Sequence, residues 1–196
     1  MAHYSVHVST VRRSVGQNAV ATAAYISRSK LTLYATDKET NITAPLTWDY
    51  SKKGGLVFSK IYAPENAPDW VLDRQQLWNK AEQAENRCDA ETANKIMVAL
   101  PIEFSHEQNV EVAEKIASNF VSDGMVAEVA IHNDSDGNPH VHVQTTQREL
   151  VENRYGEIEF SRLKNRDWKG PQWIKSIREM VAEEINTLYI KNGFDL

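Results

Sequence analysis

The segment His132 to Gln144, His-Asn-Asp-Ser-Asp-Gly-Asn-Pro-His-Val-His-Val-Gln, constrains this chain more than any other. Three of the six histidines fall within it. The flanks Val126-Ala-Glu-Val-Ala-Ile-His132 and His140-Val-His-Val-Gln-Thr-Thr146 both alternate, with small or β-branched residues at every second place. That is the period of a half-buried strand. Asn133 to Pro139 is rich in turn formers, so the two strands are expected to pair as a hairpin. His140, His142 and Gln144 then share one face, with Val141 and Val143 on the other. If His132 lies on the same face, three imidazoles converge. Three neutral histidines with open positions are a ligand set for a divalent metal that does chemistry. A His-x-His pair alone is more often hydrogen-bonded or exposed; the third histidine at a hairpin's distance favours the metal. Calcium is excluded, although Asp134, Asp136 and Asn138 alternate. Pro139 stands where an EF-hand loop needs its glycine, and Thr145 where it needs a bidentate Glu.

The rest of the pattern mixes strands with helices. Tyr4 to Ser9 alternates like a strand, with His3, Ser5 and His7 on one face. Arg12 to Gln17 reads as a polar loop. Asn18 can cap a helix through Ala19-Val-Ala-Thr-Ala-Ala-Tyr-Ile-Ser27, an alanine-rich run. Tyr34 to Lys53 reads as irregular or strand-like, and Gly55 to Ala63 as a strand. A helix is expected from Asp69 to about Cys88. Asn94 to Leu100 is a strand with Ile96, Val98 and Leu100 inward, which turns Lys95 and Met97 to the opposite face. Ser105-His-Glu-Gln108 is a capping box opening a helix to about Asp123. Arg148 to Lys169 is polar with little pattern. Pro171 starts a last helix that Gly193 can cap. The expected class is α+β: a central antiparallel sheet with helices on one side and a cleft on the other.

At 196 residues one domain is the default. The single cysteine, Cys88, excludes an internal disulfide framework and fits a reducing, cytoplasmic compartment. No apolar run approaches membrane-spanning length, and Met1-Ala-His-Tyr does not begin a signal peptide. The net charge of −5 argues weakly against nucleic acid, but it is unevenly spread. Residues 1–64 hold eight basic against three acidic residues, whereas residues 65–128 hold five against thirteen. Arg162, Lys164, Arg166 and Lys169 surround only Asp167. Arg12, Arg13, Arg28, Arg162, Lys164 and Arg166 are therefore candidate phosphate contacts. Taken singly, each is more simply a solvated surface charge.

Tyr25 is unusual among the seven tyrosines because its helix is otherwise mostly alanine. By itself it reads more readily as a core ring than as a nucleophile, since a phenol ionises near pH 10. A metal or positive field would make it competent.

Several segments together resemble one family. Ser14-Val-Gly-Gln-Asn-Ala-Val-Ala-Thr-Ala-Ala-Tyr25 followed by Ile-Ser-Arg resembles the first motif of the MobA/MobL relaxases, the nicking enzymes of plasmid mobilisation. Leu77 to Arg87, Val98-Ala-Leu-Pro-Ile-Glu-Phe104, Ala130 to His142 and Lys191-Asn-Gly-Phe194 resemble later regions of the same domain, in order. The family belongs to the HUH endonucleases, so the resemblance implies a five-stranded antiparallel sheet flanked by helices. It also implies that Tyr25 attacks a phosphodiester of single-stranded DNA, leaving a 5′-phosphotyrosyl link and a free 3′-hydroxyl. His132, His140 and His142 would hold Mn²⁺ or Mg²⁺ on the phosphate. The implied partners are an origin of transfer beside an inverted repeat, accessory relaxosome proteins and a type IV coupling protein.

One position departs from the family. Where relatives carry a supporting Glu before Ala-Leu-Pro, this chain has Lys95. Glu82, Glu85 and Glu91 are possible substitutes, and His7, Lys95 and Gln144 are expected to line the site. Three other readings compete: a rolling-circle replication initiator, a non-catalytic origin-binding module, and a three-histidine hydrolase of a small substrate with Tyr25 in its core. The order of tyrosine before histidines favours the relaxase over the initiator.

Overall fold

The computed structural model describes residues 5–36, 43–134 and 137–194. Among these the order is β1 (Val6–Arg12), α1 (Ala19–Ile26), β2 (Lys30–Thr36), β3 (Thr43–Asp49), β4 (Leu56–Tyr62), α2 (Asp69–Leu72), α3 (Arg74–Gln83), β5 (Glu91–Ala99), α4 (His106–Ser122), β6 (Ala127–His132), β7 (His140–Thr145), β8 (Leu150–Glu152), β9 (Ile158–Phe160) and α5 (Gly170–Lys191). Five strands form one antiparallel sheet in the order β1-β5-β7-β6-β4. β2–β3 and β8–β9 are separate two-stranded ribbons. The class is α+β, as expected. His3, Tyr4 and Asp136 lie outside the described residues.

The two faces of the sheet bury different partners. Ile96 and Val98 of β5, Val129 and Ile131 of β6, and Val141 and Val143 of β7 pack in one cluster with Val112, Ile116 and Phe120 of α4 and Ile177, Val181, Ile185 and Leu188 of α5. The alternation of the strands and the 3.6-residue period of the helices meet there. The opposite face carries a second cluster, in which Val11, Ala93 and Val126 meet Ala19, Val20, Ala23 and Ala24 of α1 and Leu77 and Trp78 of α3. Helices therefore cover both faces, not one. The cleft is the part of the second face that α1 and α3 leave open. The alanine content of α1 lets its backbone lie close to the strands, with Ala19, Ala23 and Ala24 wholly buried.

Three local expectations are corrected. The helix expected from Asp69 to Cys88 is broken at Asp73, whose backbone is extended and whose side chain accepts the Gln76 N–H at 2.9 Å. A local cap competes with helix continuation, and here it wins. α3 then ends at Gln83. Arg12, expected in a loop, is the last residue of β1. Arg148 to Lys169, patternless by sequence, holds the β8–β9 ribbon.

Candidate active site

The hairpin sets the histidines. His132 and His140 are direct cross-strand partners, and His142 pairs with Ala130 on the same face. The ring centroids lie 5.5 Å apart for His132–His140, 4.6 Å for His132–His142 and 5.0 Å for His140–His142. One nitrogen from each can be chosen so that all three lie within 4.8 Å of one another. Small side-chain rotations would bring them to the ~2.0–2.2 Å bonds of a metal centre.

The surroundings of His140 and His142 fit that use, while a guanidinium competes for the lone pair of His132. His140 Nδ1 lies 2.9 Å from the Asn138 carbonyl, to which it can donate, leaving Nε2 as the lone pair. His132 Nε2 lies 2.6 Å from the Ile26 carbonyl, so Nδ1 is the lone pair, and Arg28 Nη2 donates to it at 3.2 Å. Both nitrogens of His142 are buried with no hydrogen-bond partner, which is costly unless a ligand meets one of them. Burial first, then the charges of the other histidines, Arg28 and Lys95, pushes His142 down to about 3. His132 is also pushed down, chiefly by burial. Both rings are thus held neutral, as metal ligands must be.

α1 brings Tyr25 to this cluster. Asn18 caps the helix by accepting the Ala21 N–H at 2.7 Å. Glu82 of α3 accepts the Ala19 N–H at 2.6 Å, and the His132–Ile26 contact ties down the other end. The Tyr25 ring lies 6.3 Å from the rings of both His132 and His142, and it remains partly exposed. Partial burial pushes the phenol's pKa up, but hydrogen bonds and charge from Arg28 and Lys53 outweigh this and hold it below its ordinary value. Tyr25 is therefore not a core ring.

Arg28 is the buried hub beside it. Its backbone is left-handed, at φ 50, a conformation that side chains rarely adopt outside glycine. Its guanidinium donates to the Tyr25 and Gly54 carbonyls and to His132, and stacks 4.6 Å from the Tyr25 centroid. An arginine kept in such a backbone marks a place where its side chain matters.

Sheet register puts His7, Met97, His142 and Ala130 in one row across the strands. A cleft of about 390 Å³ runs along it, lined by His7, Asn18, Thr22, Tyr25, Lys95 and His142 among others. His7 and Lys95 thus line the site. Gln144 faces the same side but lies wholly buried beneath α1, donating to the Ala19 carbonyl at 2.9 Å.

The remaining basic residues divide. Arg13 is consumed by the Glu82 carboxylate and by the Glu82, Glu85 and Arg87 carbonyls. Lys164 is half-buried against Glu85, the Gln147 side chain and the Glu91 carbonyl. Arg12 pairs with Glu91. That cluster sits at the Glu91 end of β5, ~20 Å along the strand from Met97. Arg162 and Arg166 are exposed near it in sequence. Of the six candidates only Arg28 is at the histidines. Glu82, Glu85 and Glu91 are spent on Arg13, Arg148 with Lys164, and Arg12 respectively, so none supports a histidine. Sequence reasoning passed over Lys53 and Tyr50, which meet Tyr25 from the β3–β4 turn. Its signal was Lys52-Lys53-Gly54-Gly55, a basic pair on a tight turn.

A family model described as "MobA/MobL family" matches residues 17–195. Conjugal transfer protein TraA of Rhizobium radiobacter is 35% identical over 167 residues, covering 80% of this chain and 14% of TraA. Probable mobilization protein MobA of Bifidobacterium longum is 36% identical over 152 residues, covering 76% of this chain and 26% of MobA. The chain thus spans well under two thirds of the curated relatives it matches. A solved structure described as "Molecular Basis of Vancomycin Resistance Transfer in Staphylococcus aureus" is 32% identical, with a TM-score of 0.82 over 100% of this chain and 96% of that one. Among the described residues no helix is long and apolar enough to cross a membrane.

Proposed function

This chain belongs to the MobA/MobL family, and from that premise we propose that residues 1–196 form a cytoplasmic relaxase domain for plasmid mobilisation. It nicks one strand of single-stranded DNA at an origin of transfer. The observation that carries this reading is the phenol of Tyr25 at the rim of a three-histidine cluster, in an open cleft.

In this reading Tyr25 Oη attacks the scissile phosphorus. The Oη–P bond forms, the P–O3′ bond breaks, and a 5′-phosphotyrosyl link and a 3′-hydroxyl result. The phenolic proton passes to water, and the departing 3′ oxygen takes one from water. His132, His140 and His142 would hold the divalent cation, Mn²⁺ or Mg²⁺, which supplies charge neutralisation at the phosphate oxygens. His140 and His132 are oriented for that by the Asn138 and Ile26 carbonyls. The 3′-hydroxyl reverses the same step to reseal the strand. Beyond the nick, transfer of the strand would bring in accessory relaxosome proteins and a type IV coupling protein.

The test uses labelled single-stranded fragments tiled across the DNA flanking the gene, with Mn²⁺ present. A denaturing gel run beside a native gel separates the nicking reading from the two that involve no covalent adduct. A covalent adduct that Tyr25→Phe abolishes supports the relaxase. A native-gel shift without adduct points to a non-catalytic origin-binding module, and neither result points to a small-substrate hydrolase.

A further inference from the structure

We propose that Lys53, in the turn between β3 and β4, is a catalytic residue: its ammonium serves the oxygen of Tyr25 that forms the bond to phosphorus. This rests on the nicking reading above and adds to it a second charge, separate from the histidine cluster.

Lys53 Nζ donates to Tyr25 Oη at 3.4 Å and lies 4.6 Å from the ring centroid. Lys53 is exposed, and among the described residues no carboxylate pairs with it. An exposed ammonium normally stays in water; here it is delivered to one phenol oxygen by a turn tied down on three sides. Tyr50 N–H donates to the Ser29 carbonyl at 3.1 Å, and Lys53 N–H to the Tyr50 carbonyl at 2.9 Å. Arg28 Nε donates to the Gly54 carbonyl at 3.2 Å. Asn133 N–H, next to His132, donates to the Gly55 carbonyl at 2.8 Å. Gly55, at φ +85, lets the Asp134 carboxylate come where a Cβ would stand 2.0 Å from it. Tyr50 itself packs edge-on against Tyr25 with centroids 5.4 Å apart. The turn therefore spans from the end of α1 to the histidine hairpin, with Lys53 over the nucleophile.

The chemical need is specific. As Oη bonds to phosphorus it gives up its proton, and negative charge crosses the Oη–P axis to the phosphoryl oxygens. A fixed ammonium stabilises the oxygen as the proton leaves. In this role Lys53 donates a hydrogen bond to Oη and exchanges no proton with substrate.

The experiment begins from Cys88→Ser, which removes the only cysteine, an exposed one. In that background Lys53→Cys should form the DNA adduct on the order of 100-fold more slowly in single turnover, the loss typical of one transition-state donor. Alkylation with 2-bromoethylamine rebuilds an aminoethyl arm on the sulfur and should restore the rate to within about fivefold, a margin of ~1.0 kcal/mol. A mere packing role would not respond to restored charge. Lys53→Met placed in the Tyr25→Phe background should leave DNA affinity within about threefold, ~0.65 kcal/mol. The idea is overturned if Lys53→Cys nicks as fast as its background, or if complete alkylation by mass spectrometry brings no recovery. If the Cys88→Ser parent forms no adduct with any fragment, the nicking reading itself falls, and this one with it.

Discussion

Arg28 Nη2 donates to His132 Nδ1 at 3.2 Å, on the one imidazole nitrogen that the Ile26 carbonyl leaves as a lone pair. A cation bound by His132 must displace that contact. Removing the guanidinium should therefore tighten Mn²⁺ binding, by about fivefold for ~1 kcal/mol of competing charge. The backbone adds a second readout. Arg28→Gly and Arg28→Ala lose the same bonds, but only glycine accepts φ 50 without strain. Urea unfolding should find the Gly variant more stable than the Ala variant by about 1 kcal/mol. Equal stabilities would mean that the left-handed backbone carries no strain.

Glu82 joins α3 to α1 through one carboxylate. It accepts the Ala19 N–H and pairs with Arg13 at 2.8 Å while only 3% exposed. Glu82→Ala leaves Arg13 without its anion and Ala19 without a cap. Because Arg13 is a quarter exposed, the cost should fall below that of a fully buried pair, to about 2 kcal/mol. Chemical denaturation measures it; a loss under about 0.5 kcal/mol would show the pair to be dispensable.

The charge map shows why the site was only partly legible in the chain. His132, His140 and His142 were readable because strand alternation places them on one face without help from elsewhere. Tyr25 was not readable by physics alone, since its exposure depends on where the Tyr50–Gly55 turn lands. Arg13 and Lys164 looked like free cations. Their anions, Glu82 and Glu85, come from 69 and 79 residues away and belong to the acidic middle third. Gln144 kept its predicted face and still missed the cleft, because α1 lies over it. Period-two patterning gives a face, not what covers it.

His142 should make the metal-free protein acid-sensitive. Its folded ionisation lies at about 3, against 6.5 when unfolded, so below pH 6.5 the unfolded chain takes up a proton that the folded one refuses. Stability contributed by the neutral ring is complete above pH 6.5 and is lost as pH falls toward 3. Thermal melting in EDTA at pH 7 and pH 5 should show a larger loss for the native protein than for His142→Asn. The carboxylates held low, such as Asp73, act only below their usual 3.8, outside that interval. Parallel losses in both proteins would remove His142 as the cause.

Lys95 is half-buried at the cleft wall, paired across the strands with the covered Gln144, and its charge helps hold His142 neutral. It would also repel a divalent ion on the same histidines. Lys95→Glu should bind Mn²⁺ about fivefold more tightly, ~1 kcal/mol for a half-exposed charge screened by water and salt. It should nick as fast or faster. Unchanged or weaker binding by calorimetry would place Lys95 outside the ion's field.

The three imidazoles stand on the best-supported strands of the sheet: β7 is the middle one of five, and β6 is paired on both sides. Their spacing is set by the backbone ladder of the sheet, unlike small zinc modules in which the ion itself folds the chain. A chelator should empty this centre without melting it. Ions would trade places at a standing socket, and which one sat there would follow the supply in the surrounding fluid more than any demand of the fold.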